Sequence, residues 1–125
     1  MCGIVGANST RNVTKILIEG LKKLEYRGYD SAGLAVFDGG LKICKEVGKV
    51  VELEKSVNKL TGFKGNIGIA HTRWATHGKP SRANSHPHSS NKFCIVHNGV
   101  IENFEELKKT LINDGYVFAS DTDTE

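Results

Sequence analysis

Cys2 stands directly behind Met1 in the run Met1-Cys2-Gly3-Ile4-Val5-Gly6. Removal of Met1 would leave a thiol and a free α-amine on one residue. A thiol is mostly protonated at neutral pH, whereas an α-amine titrates close enough to neutrality to act as a general base. Nucleophile and base would then come paired, the logic of nucleophiles activated by an N-terminal amine. The plain alternative is a cysteine that begins a buried strand. His71-Thr72-Arg73-Trp74-Ala75-Thr76-His77-Gly78 brings a guanidinium, an indole and an imidazole into one loop. Arg73 suits an anionic group, because its planar fork matches a carboxylate. His97-Asn98-Gly99 fits an oxyanion hole, with the Asn98 amide and the Gly99 N–H as donors, or else a simple turn. Asp121 and Asp123 read either as helix caps or as a carboxylate that receives a ligand amine. Tyr26-Arg27-Gly28-Tyr29-Asp30 reads as a tight turn closed by an Arg27–Asp30 pair. His86-Pro87-His88, with His71, His77 and His97, invites a metal. No HExxH and no carboxylate at ligand spacing accompanies them, so none is expected. A thiol with an amine base attacks a carbonyl, Arg73 takes a carboxylate and a late Asp takes an ammonium. A zwitterionic amino acid with a side-chain carbonyl fits these parts, and glutamine is the obvious case.

These residues need elements to hold them. The apolar run Cys2–Ala7 predicts a buried strand, and Val13, Ile16, Leu17, Leu21 and Leu24 predict a helix starting near Asn12 and ending before Tyr26. Ser31–Phe37 and Leu41–Val47 read as a hairpin around Asp38-Gly39-Gly40. Val50, Leu53, Val57 and Leu60 mark a second helix, and Asn66–Thr72 a strand. Arg73–Asn91 is long, polar and irregular, which inside a compact domain points to function. Phe93–His97 reads as a strand. Asn103 and Glu106 form a capping-box-like start to a third helix, and Tyr116–Ala119 reads as a last strand. Strands in hairpins as well as between helices predict a layered α/β sandwich with much antiparallel pairing.

Composition bounds the rest. The 125 residues suffice for one domain with a core. Lys and Arg number 17 against 14 Asp and Glu, and the resulting net charge of +3 is spread along the chain. A nucleic-acid footprint would be clustered, so no nucleic acid is expected. Three widely spaced cysteines without a CxxC suggest neither a disulfide framework nor a zinc ribbon. No membrane-length apolar run and no secretory leader is seen. The expected setting is a reducing cytoplasm, which keeps Cys2 free. Thr124-Glu125 reads as the middle of a larger domain.

Cys2-Gly3-Ile4-Val5-Gly6, Leu24 through Gly33, His71 through Gly78, Asn84 through His88 and His97-Asn98-Gly99 closely resemble the glucosamine-6-phosphate synthase family, the isomerizing glutamine–fructose-6-phosphate aminotransferases. The resemblance runs through the closing Ser120–Glu125. It implies a class II glutamine amidotransferase domain of the N-terminal-nucleophile hydrolase type, a four-layer αββα sandwich present only in part. Residues 1–125 would be its first half, with the sugar-isomerase domains absent from this chain. By motif, Cys2 would be the nucleophile, and Asn98 and Gly99 the oxyanion hole. Arg73 would bind the glutamine α-carboxylate and Asp123 its α-amino group. Trp74, Thr76 and His77 would lie on a loop closing over glutamine, and His86 and Arg27 would support the site. The resemblance implies no metal and no cofactor, fructose 6-phosphate as ammonia acceptor and a homo-oligomeric full-length protein. Phosphoribosyl-pyrophosphate amidotransferases and asparagine synthetases resemble the same N-terminus, with other residues expected around Arg27 and Trp74–His77. An inactive partial domain that only binds is the reading from another class. By itself the 125-residue stretch is expected to be inactive and to associate through uncovered sheet.

Overall fold

The computed structural model describes residues 1–125. Strand β1 (Gly3–Asn8) leads into helix α1 (Thr14–Leu24) and a short 3-10 turn at Glu25–Arg27. The hairpin β2 (Ser31–Phe37) and β3 (Leu41–Val47) follows, then α2 (Val50–Lys59) and β4 (Ile67–Arg73). A two-stranded ribbon, β5 (His88–Ser89) with β6 (Cys94–Ile95), and helix α3 (Phe104–Asn113) complete the elements. The main sheet has the order β1-β4-β2-β3, and every pair in it is antiparallel.

The period of two along a strand sorts this sheet into two unlike faces. Ala32, Leu34 and Val36 of β2 point to the helix side with Ala70 of β4 and Cys44 of β3. There they meet Val13, Leu17, Ile18 and Leu21 near and along α1, and Val50, Leu53 and Val57 of α2. Each fully buried Leu or Val of this set contributes roughly 1.5–3 kcal/mol of burial. Asn12 ties the start of α1 to the loop before β4. Its Oδ1 accepts from the Thr14 N–H (3.2 Å) and the Gly65 N–H (3.2 Å).

Register puts Ser31, Gly33, Lys45 and His71 on the opposite face, where the segment Asn84–His88 comes down onto the sheet. Gly33 is what admits it: a Cβ there would lie 2.0 Å from the His86 carbonyl oxygen. Lys45 Nζ donates to the Pro87 carbonyl at 3.3 Å from the neighbouring strand. The second sheet of this chain is thus the small β5–β6 ribbon, borne on the face away from α1 and α2.

Four expectations are corrected. Tyr116–Ala119 is not a strand: no strand lies beside it, and Val117 is 93% exposed. Phe93–His97 shortens to Cys94–Ile95, paired with a His88–Ser89 strand that no apolar pattern announces. Asn103 precedes α3 without a side-chain cap, and only its carbonyl accepts, from the Leu107 N–H (3.1 Å). Asp30 turns away from Arg27. It accepts from the Ala75 N–H (2.5 Å) and stands 3.9 Å from Arg73, because the sheet sets β4 beside β2. No helix is long and apolar enough to cross a membrane.

Candidate active site

Pairing β1 against β4 sets Gly3 opposite Thr72, which carries Cys2 alongside the exit of β4. The Trp74 N–H donates to Cys2 Sγ at 3.2 Å, and Sγ lies 3.7 Å from the Trp74 carbonyl. Ahead of Cys2, the Met1 ammonium donates to the Arg27 (2.9 Å) and Gly28 (3.1 Å) carbonyls. Arg27 Nη2 contacts Met1 Sδ at 3.7 Å. The N-terminus is therefore docked on the turn after α1, one residue from the thiol.

Cys2 opens into a cavity of about 110 Å³ shared with Arg73, Thr76, His86, Gly99 and Asp123. Residues spread over almost the whole chain converge there. That volume is a few waters' worth, on the scale of one small polar metabolite group. An adjoining groove is lined by Cys2, Trp74, Thr76 and Gly99 again, now with Arg27 and Asn98. Asn98 thus belongs to the groove and Gly99 to both spaces.

Arg73 ends β4 and is only 3% exposed. Its Nη2 donates to the His77 carbonyl and to the Gly78 carbonyl (3.1 Å), and Nη1 reaches the Lys79 carbonyl at 3.5 Å. The guanidinium so organises the loop that follows it. Any anion that reached Arg73 would compete with the carbonyls of residues 77–79 for the same donors.

Asp123 Oδ2 accepts from the Ile101 N–H (2.8 Å), leaving Oδ1 3.8 Å from His77 Nδ1. His77 is not part of the cavity lining. It stands behind Asp123 with its ring edge-on to Phe104, centroids 4.5 Å apart. Asp121 is engaged elsewhere: its N–H donates to Asn84 Oδ1 (2.8 Å), and its carboxylate accepts from Asn84 Nδ2 (3.2 Å).

Beneath the oxyanion candidates lies a layer of buried imidazoles. His71 stacks on His86 with ring centroids 4.1 Å apart, and His86 meets His88 edge-on at 4.7 Å. Burial pushes the pKa of His71 and His88 down to about 4 and that of His86 to about 2. The three are neutral at pH 7. His88 Nε2 bonds Thr122 Oγ1 (2.9 Å), fixing the approach to Asp123. A Cβ on Gly99 would lie 2.8 Å from the His97 ring, so a side chain there would have to displace that imidazole. His71 was not among the expected site residues. The signal for it is the strand period: His71 and Arg73 alternate onto one side of β4, so the strand that offers Arg73 offers His71 as well.

The family model described as a glutamine amidotransferase domain matches residues 57–125. The chain is 81% identical to glutamine–fructose-6-phosphate aminotransferase [isomerizing] of Francisella tularensis and 62% identical to that of Pseudomonas aeruginosa. Both alignments cover 100% of this chain and 21% of the relative, so the chain spans about a fifth of their length. Among solved structures, the glutamine phosphoribosylpyrophosphate amidotransferase of B. subtilis matches with a TM-score of 0.78 at 30% identity. That match covers 99% of this chain and 28% of the other. A regulatory enzyme of purine biosynthesis matches with a TM-score of 0.80 at 28% identity. These neighbours bear out the expected α/β fold of the N-terminal-nucleophile amidotransferases.

Proposed function

Because the chain belongs to the glutamine amidotransferase domain family, we propose that Cys2, freed of Met1, hydrolyses the side-chain amide of L-glutamine. One observation carries the reading: Cys2, Arg73, Gly99 and Asp123 line a single cavity despite their separation in sequence. A zwitterion placed with its α-carboxylate toward Arg73 and its ammonium toward Asp123 presents its side chain to the sulfur. Thr76 and Trp74 border the same space, His77 backs Asp123, and His86 and Arg27 support from either side.

The chemistry then runs in two stages. The Cys2 α-amine takes the thiol proton as sulfur bonds to the amide carbon. Negative charge gathers on the carbonyl oxygen, opposite the Asn98 NH2 and the Gly99 N–H, and one such donor is worth about 3–4 kcal/mol in the rate. The C–N bond breaks with the proton returned to nitrogen, and ammonia leaves. Water, deprotonated by the same amine, hydrolyses the glutamyl thioester to glutamate and restores the thiol. No step calls for a metal or an organic cofactor.

We read the complete protein as the isomerizing glutamine–fructose-6-phosphate aminotransferase, with the ammonia passed to fructose 6-phosphate. Supporting this over the phosphoribosyl-pyrophosphate type is the gap between 81% and 30% identity across the whole chain. The three cysteines are free thiols, which suits a reducing cytoplasm. Ammonia release from glutamine by the complete protein is the test. Cys2→Ala is expected to abolish it, and a variant that retained it would remove Cys2 from the chemistry.

A further inference from the structure

We propose that His71 is a positioning residue for the Asn98 amide, its Nε2–H holding Asn98 Oδ1 so that the Asn98 NH2 is left to the groove beside Cys2. The inference rests on Asn98 acting as an oxyanion donor, as read above. His71 Nε2 lies 3.1 Å from the His97 carbonyl oxygen and 2.7 Å from Asn98 Oδ1. A carbonyl oxygen can only accept, so Nε2 carries the hydrogen. With that hydrogen fixed, the amide can present only its oxygen to His71. The flipped amide would bring two donors together at 2.7 Å.

The imidazole is well placed to impose this choice. His71 is fully buried in β4, opposite Ile4 on one side and Gly33 on the other. Its ring stacks on His86 at an interplanar angle of 16°. His86 Nδ1 in turn accepts from the His97 N–H at 3.4 Å. The residue before Asn98 is thus gripped at its N–H by one imidazole and at its carbonyl by the other. His71 Nδ1 is buried without a hydrogen-bond partner, the place for a lone pair, and burial keeps the ring neutral. Donors aimed in advance at a developing charge are worth most because nothing reorganises during reaction. Orientation by a second layer of hydrogen bonds is the usual means of aiming them.

The test is steady-state glutamine hydrolysis by the complete protein carrying His71→Gln or His71→Met, alone and with Asn98→Ala. Gln keeps a side-chain N–H, and Met has similar bulk without one; His71→Leu is a second donor-free variant. The expected result is a fall in kcat of about tenfold for Met and Leu, short of the 10²–10³ for losing the donor itself. Their KM should stay within about twofold, Gln should restore most of the rate, and Met should cost nothing further beside Asn98→Ala. Equal losses for Gln and Met, or losses that add fully to Asn98→Ala, would overturn the role of His71 alone. Hydrolysis surviving Cys2→Ala would overturn the reading of the site, and this inference with it.

Discussion

In the proposed reading Cys2 attacks and Arg73 binds, and the two sit in unlike surroundings. Sulfur is approached by one backbone N–H and faces a small cavity. Arg73 is buried, with its donors shared among loop carbonyls and Asp30 nearby. Lysine at this position keeps the charge but loses the fork that spans several acceptors. Hydrogen bonds to a charged group are worth about 1.5–3 kcal/mol each. Arg73→Lys is therefore expected to raise KM for glutamine by roughly 10- to 100-fold, with a smaller change in kcat, measured by initial rates. A KM unchanged from wild type would show that the α-carboxylate binds elsewhere.

At the scale of elements, the segment from Asn84 to His88 is held on the sheet by neutral imidazoles. A histidine whose pKa falls from 6.5 to about 4 on folding binds its proton more readily in the unfolded chain. Its contribution is fully present above pH 6.5 and is lost as pH falls toward 4, on the order of 3 kcal/mol for each such group. Urea midpoints are expected to drop steadily between pH 6.5 and 4.5, and midpoints flat over that range would contradict neutral, buried His71 and His88. The same segment marks where the sequence was hard to read. Ser31–Phe37 and Leu41–Val47 came out with the boundaries expected, because alternation and Asp38-Gly39-Gly40 are local signals. His88–Ser89 has no such pattern, and its pairing with Cys94–Ile95 is decided by what lies beneath it, Gly33 and Lys45 of another strand. Tyr116–Ala119 shows the opposite case, residues of strand type without a strand to pair with. Of the candidate site residues, Cys2 and Arg73 were proposed from their chemistry and Asp123 was separated from Asp121 only by the family resemblance; the fold sets all three on one cavity. His71 was not legible, because its value lies in a contact with Asn98 that only the fold brings about.

For the molecule as a whole, one sheet face is closed by α1 and α2 and the other is closed only around Gly33. Ile4, Phe37, Leu41, Val47 and Ile67 all fall on this second face by register, and each is more than 40% exposed. Apolar area gathered in that way drives association. The 125-residue chain by itself is expected to sediment as dimers or larger species at micromolar concentration, and a cooperatively folding monomer would contradict it. On the reading proposed above, turnover of glutamine is expected of the complete protein. There the claim that Cys2 is a latent nucleophile can be tested directly. With Met1 in place the Cys2 nitrogen is an amide, and the only nearby amine is docked on the Arg27 and Gly28 carbonyls. The decisive measurement is ammonia release from glutamine by preparations whose N-terminus has been read by intact mass. The Met1-free form should be faster by about 10²–10⁴, the usual worth of a positioned general base. A Met1-retaining form of equal rate would contradict the account.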